Sequence, residues 1–209
     1  MSEQSNRAKS QQQTRDALLQ AGAQLIAQNG YAGASVRDIA AQAGFTQGAF
    51  YSNFKNKDEL VFAIMRRLFQ HAYDSISHFS KDTTTPTDEM LAEASVWLQD
   101  MCGSDEKAQL EAEISLHAMR DTKFADSYFA LLDEHAAKMT GIVSEIARAR
   151  KMTLCAPADQ IARGMIAMAR GLKLMMPRHD PKTVIETLGV FLDATMRSCQ
   201  KSRNDQSDL

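Results

Sequence analysis

The sequence predicts an all-α protein of about nine helices, and three observations carry that expectation. Apolar residues recur at three- and four-residue spacing along most of the chain, the period of a helix with one buried face. No segment alternates apolar and polar residues between turn signals as a half-buried strand would. All four prolines lie at or after Pro86, each at the edge of a periodic segment. With 209 residues, 44% of them hydrophobic, the chain has enough apolar material for a real core.

Each element follows from local chemistry. Residues 1–13 are polar and Gln-rich and are expected to form a flexible arm. Helical periodicity starts at Thr14, with Leu18, Gly22 and Leu25 on one stripe and Leu19 and Ile26 beside it. Asn29-Gly30 is a stop signal, since glycine tolerates the left-handed conformation at a helix end. Ser35 and Asp38 have capping-box spacing and open a short helix, Val36 to Ala43. Gly44 breaks it, and Thr46 caps another that runs to about Asn53. Asn56 and Glu59 start a long helix, with Leu60, Ile64, Leu68, Ala72 and Ile76 in line, to about Ser80. Further helices are expected over 86–102, 105–120, 122–151, 157–176 and 181–199. The polar end, 201–209, is expected to be a flexible tail.

Composition narrows the function. No apolar run approaches the roughly 18 residues of a membrane span, and MSEQSNRAKSQQQ lacks the apolar core of a signal peptide. A cytoplasmic protein with no membrane partner is expected. Residues 1–67 carry 8 Lys+Arg against 5 Asp+Glu, a net of +3, whereas residues 68–209 carry 16 against 21, a net of -5. A basic front on an acidic body suits a head that approaches DNA. Cys102, Cys155 and Cys199 are far apart and form no metal spacing, so reduced thiols and no bound metal are expected. There is no Gly-rich phosphate loop, nucleophile elbow or His-Glu-x-x-His helix, so neither an enzyme nor a resident cofactor is expected.

Residues 35–60, SVRDIAAQAGFTQGAFYSNFKNKDEL, have the grammar of a helix-turn-helix: two short helices, a glycine turn, and a preceding helix to pack on. Ala40 and Gly44 are small where the helices cross, and Ile39, Phe45, Phe50 and Phe54 supply a miniature core. The second helix exposes Thr46, Gln47, Tyr51, Ser52 and Asn53, hydrogen-bonding side chains of a length suited to bases and phosphates. Lys57 stands where a cation and free backbone N–H groups can meet a phosphate.

Here the residues resemble a known family. Asn29-Gly30-Tyr31, Ser35 to Ala40, Ala43-Gly44, Gly48-Ala49-Phe50-Tyr51 and Phe54 to Leu60 together resemble the DNA-binding domain of the TetR family of bacterial regulators. The resemblance implies that Tyr51 and Lys57 clamp phosphates and that Arg37 reaches a base or phosphate. It also implies that Gln47, Gly48, Ser52 and Asn53 lie on the base-reading face. Ser52-Asn53 departs from the bulkier aromatic and His residues often found there, which leaves the operator sequence open. A DNA-binding domain over 14–56 and a ligand-binding and dimerisation domain over 57–200 follow.

The resemblance further implies a homodimer on double-stranded operator DNA, released by a small-molecule effector. The last two long helices would pair with their symmetry mates, with Ile161, Met165, Leu172, Val184, Leu188, Phe191, Leu192 and Thr195 at the interface. Trp97, Met101, His117, Phe124, Met139, Met165 and Met168 are candidate pocket residues, methionine being adaptable to irregular apolar shapes. Two alternatives stay open. Glu113 and His117 share a helix face and, with Cys102 and Cys155, leave room for a metal- or redox-sensing regulator. A helical module that binds another protein instead of DNA would carry the same mild charge.

Overall fold

A computed structural model describes residues 2–81, 89, 105–175, 186–187, 189–191 and 194–195. Among them are seven helices and no strand: α1 (Ser2–Gly33), α2 (Val36–Gln42), α3 (Gln47–Tyr51), α4 (Lys57–Lys81), α5 (Asp105–Ala118), α6 (Thr122–Ala149) and α7 (Ala158–Met175). The helix expected over 86–102 lies outside the described residues apart from Glu89, and the one over 181–199 lies inside them only in part. No described helix is long and apolar enough to cross a membrane. The chain forms two compact units, Met1–Leu68 with Glu106–Phe129, and Phe69–Asp105 with Ala130–Leu209.

In the first unit α1 begins at Ser2, well before the expected Thr14. Gln, Lys, Arg and Ala are good helix formers, so a helix anchored by its apolar turns propagates back through them at little cost. Lys9 to Gln13 remain fully on the surface of that helix. The anchor is the expected stripe: Leu18, Leu19, Leu25 and Ile26 are buried. Gly22 allows α1 and α4 to approach closely, because a Cβ there would stand 2.5 Å from Leu60 Cδ2. At Gly30 the chain leaves the helix with φ 75° and ψ 166°, then makes one more turn to Gly33. Only glycine occupies that backbone region without strain.

The caps form as expected. Ser35 Oγ accepts from Asp38 N at 3.1 Å, Thr46 Oγ1 from Ala49 N at 3.3 Å, and Asn56 Oδ1 from Glu59 N at 2.8 Å. The Glu59 carboxylate in turn accepts from Lys55 N, one residue before the cap, at 2.7 Å. Helix α3 stops at Tyr51, short of the expected Asn53. The Ser52 hydroxyl donates to Gly48 O and Asn53 Nδ2 to Ala49 O, and these side chains compete with the backbone for α3's own carbonyls. Gly44 has φ 78°, and a Cβ there would meet nothing within 4 Å. Its glycine serves the turn, not the close helix crossing that the sequence suggested. Leu60, Val61, Ile64 and Met65 of α4 complete this core, with Leu110, Ile114, Phe124 and Tyr128 also buried in the unit. For that reason the first unit runs past the expected boundary at residue 56 to Leu68 and takes in parts of α5 and α6.

The second unit buries Phe69 and Ala72 of α4, Leu131, Met139, Val143 and Ile146 of α6, and Ile161, Ala162, Met165 and Ala169 of α7. Gly164 faces Phe191, whose Cζ would be 3.1 Å from an added Cβ. Within this apolar packing sits His135, only 4% exposed. Its ring stacks on Phe69 at 3.9 Å, and its Nδ1 shares a 2.6 Å hydrogen bond with the Tyr73 hydroxyl. Burial, and then the charge of Arg170, push the His135 pKa down to about 4. Burial, and then the charge of Glu134, push the Tyr73 hydroxyl up to about 12.

Two outcomes are expected. Gly30→Ala forces a Cβ into the left-handed region and against Glu113 Oε2, 2.9 Å away. It should lower stability to urea by about 1–3 kcal/mol. For His135, the unfolded chain takes up a proton near 6.5 and the folded chain only near 4. Stability therefore falls as pH drops through that window, by at most about 3 kcal/mol, and this loss is complete below it. In His135→Gln, unfolding measured across the same pH range should lack that slope.

Candidate functional site

The helix-turn-helix is built on a hydrophobic floor. Phe50 and Phe54 are fully buried, 5.6 Å apart, and Ile39 and Ala40 of α2 are buried with them. The Arg15 guanidinium lies 4.2 Å over the Phe54 ring and donates to Asn53 O at 2.8 Å, fastening the end of α3 to α1. Phe45 departs from expectation. It is 38% exposed, because its backbone is tied to Ala40 O at the tip of the α2–α3 turn, outside the floor.

Above that floor Arg37, Thr46, Gln47, Gly48, Tyr51 and Ser52 are exposed, and Asn53 is partly so. Tyr51 is 58% exposed, with its ring edge-on to Phe50. Thr46, Ser52 and Asn53 are not idle, since each makes a local bond that caps or ends α3. Arg37, Gln47 and Tyr51 are the long exposed donors of this surface, and donors are what phosphate oxygens require.

Lys57 is placed differently from what the resemblance implied. Its ammonium turns inward, donating to Tyr31 O at 2.6 Å and Ala34 O at 3.0 Å, and lies 4.0 Å over the Tyr31 ring. Burial lowers its pKa below the ordinary lysine value, opposed by the charge of Asp58. Tyr31 is itself enclosed. Its hydroxyl donates to Asp58, and His117 stacks on its ring at 3.6 Å and 11°. Phe124 meets it edge-on at 5.6 Å and stacks on Phe62 at 4.9 Å. Burial, then the bond to Asp58, raise the phenol pKa.

The pocket candidates divide accordingly. His117 and Phe124 belong to this ring cluster in the first unit, while Met139 and Met165 are buried and Met168 partly buried in the second. Trp97 and Met101 lie outside the described residues. Glu113 abuts Gly30 and His117 abuts Tyr31, and no group of three potential metal ligands exists among the described residues. Cys155 is exposed; Cys102 and Cys199 lie outside the described residues.

Of the interface candidates, Ile161 and Met165 are buried within the chain's own second unit and so have no surface to give a partner. Leu172, Phe191 and Thr195 are partly exposed, and Val184, Leu188 and Leu192 lie outside the described residues. Among the described residues Leu174, Met175 and Val190 are open apolar side chains, exposed by 61%, 82% and 72%, as are Met119 and Phe129 in the first unit, at 79% and 53%. The Tyr73–His135 pair was not among the candidates. One signal was available: His135 falls at four-residue spacing between Leu131 and Met139, a lone polar residue on an apolar stripe.

Comparison with known proteins agrees with this geometry. Residues 18–64 match the family model described as bacterial regulatory proteins, tetR family. Over 79 residues the chain is 37% identical to the HTH-type transcriptional regulator YvdT of Bacillus subtilis, covering 36% of this chain and 41% of that protein. The chain thus spans about two fifths of the length of the first such relatives. A longer match, 26% identical, covers 79% of this chain and 87% of the HTH-type nicotine-responsive transcriptional repressor HdnoR of Paenarthrobacter nicotinovorans. The fold is similar to that of the transcriptional regulator FadR of Bacillus subtilis, solved in complex with stearoyl-CoA. The TM-score is 0.67 at 17% identity, over 84% of this chain and 96% of that one. Residues 18–64, which include the helix-turn-helix, are thus similar to the DNA-binding part of the bacterial regulatory proteins of the tetR family.

Proposed function

We propose that this protein is a ligand-responsive transcriptional repressor that binds a near-palindromic operator as a dimer and is released by a small molecule. The carrying observation is the exposed face of Arg37, Gln47 and Tyr51, held over the buried floor of Phe50 and Phe54. Residues 14–56 form the DNA-reading part, and the body over 57–200 takes the effector and the second copy. HdnoR, a relative over most of the chain, is named a nicotine-responsive repressor, and FadR was solved with stearoyl-CoA bound. Both support an effector in the body of this chain, without naming it. Leu174, Met175 and Val190 support a partner subunit, since apolar side chains this open gain by being covered. Such a protein works in the cytoplasm, where the DNA is.

The test is fluorescence anisotropy with DNA from upstream of the protein's own gene, at two salt concentrations. Selective binding that weakens steeply with salt is expected. Tyr51→Ala should weaken it on the order of tenfold, about 1.4 kcal/mol, through loss of a phosphate bond. Arg37→Ala should also flatten the salt dependence, by about 0.9 in logarithmic slope if it neutralises one phosphate. Binding indifferent to salt and to both substitutions would favour the protein-interaction alternative. Sedimentation equilibrium at micromolar concentration should show a dimer; a monomer would remove the symmetric operator from the proposal.

A further inference from the structure

We infer that His117 is a positioning residue for Lys57: by fixing the Tyr31 ring it keeps the Lys57 ammonium turned inward, away from a DNA backbone. The inference rests on the DNA-binding reading above and adds a control element to it. An aromatic ring has two faces. His117 lies parallel to Tyr31 at 3.6 Å, and Lys57 Nζ lies 4.0 Å over the same ring, so the two must occupy opposite faces. The rest of the ring is held as well, by the bond from its hydroxyl to Asp58 and by Phe124 against its edge. Tyr31 therefore cannot shift without releasing one of these contacts.

The ammonium has three N–H groups. Two donate to the carbonyls of Tyr31 and Ala34, and its positive charge faces the electron-rich ring. A phosphate competing for Lys57 must displace these partners. On the other side of the same turn, α5 supplies both His117 and Glu113, whose carboxylate crowds Gly30. The Gly30–Ala34 turn is thus gripped by α4 through Lys57 and Asp58 and by α5 through His117 and Glu113. A displacement of α5 loosens Tyr31 and with it the retention of Lys57. His117, a pocket or metal-site candidate from sequence, acts here by stacking.

The test combines a DNA-free measurement with a binding one on the full chain. The Cε–Hε signal of Lys57 and its titration by NMR report where the ammonium sits. In His117→Ala the signal should move toward that of a solvated lysine, with its pKa rising, and in His117→Phe, which keeps a stacking ring, it should stay near wild type. With a random-sequence duplex, His117→Ala should bind several-fold more tightly, with a salt slope steeper by about 0.9, as for one added phosphate contact. Lys57→Ala should abolish that gain in the His117→Ala background. An unmoved Lys57 signal, failure of His117→Phe to restore it, or a gain that survives Lys57→Ala would overturn the inference. A wild type that binds no duplex, while the Lys57 signal still responds to His117→Ala, would sink the DNA reading and leave the positioning link standing.

Discussion

The burial of Phe50 and Phe54 is the constraint on which the DNA-binding surface depends. A helix of five residues has too few internal hydrogen bonds to persist in water, because forming the first turn costs more than one or two bonds return. Helix α3 exists because both phenyl rings lie in the core shared by Leu18, Ile26, Ile39 and Leu60, each ring contributing about 1.5–3 kcal/mol of apolar burial. Thr46 closes one end of the helix and the Ser52, Asn53 and Arg15 bonds close the other. With stability carried from below, Gln47 and Tyr51 remain exposed at the surface, the Tyr51 ring resting edge-on against Phe50.

Much of this was legible in the sequence because it is local. Ser35, Thr46 and Asn56 cap helices through bonds to residues three positions ahead, and the Leu18–Ile26 stripe follows from helical period alone. The resemblance rests on the same short-range grammar. What was not legible depends on partners distant in sequence. Phe45 looked like core until the turn carried it outside, and nothing local to Lys57 announces that its ammonium donates to the carbonyls of Tyr31 and Ala34. His117 suggested a pocket, but its neighbour is Tyr31, far back in the chain. Ile161 looked like an interface residue because one helix face cannot announce whether its own chain or a second copy covers it. Gly44 shows a subtler limit: the residue was singled out correctly, while its reason is backbone angle and not space.

The second unit contains a polar pair where apolar packing alone would suffice. The Tyr73–His135 bond joins α4 to α6, and Lys138 stands 4.0 Å over the Tyr73 ring while donating to Gln70. A neutral imidazole bonded to a phenol satisfies the buried polar atoms involved, but its geometry is more exacting than hydrocarbon contact. It fixes the register between these helices. Helix α4 also carries Lys57 and Asp58, so a single continuous helix bears residues of both the Tyr31 cluster and the Tyr73–His135 pair. Under the function proposed above, a coupling of only about 1–3 kcal/mol between effector and operator corresponds to a 5–150-fold change in affinity.

The proposed function requires α3 to present a sequence-reading surface and two copies of the chain to present it together. Selection of binding sites from a random pool of duplex DNA, using the whole protein, tests this most directly. The expected result is enrichment of one two-fold-symmetric motif, its half-sites about 34 Å apart along the DNA or somewhat more, as two symmetry-related recognition helices would require. Enrichment of no motif, or recovery of DNA in proportion to its abundance, would contradict the account.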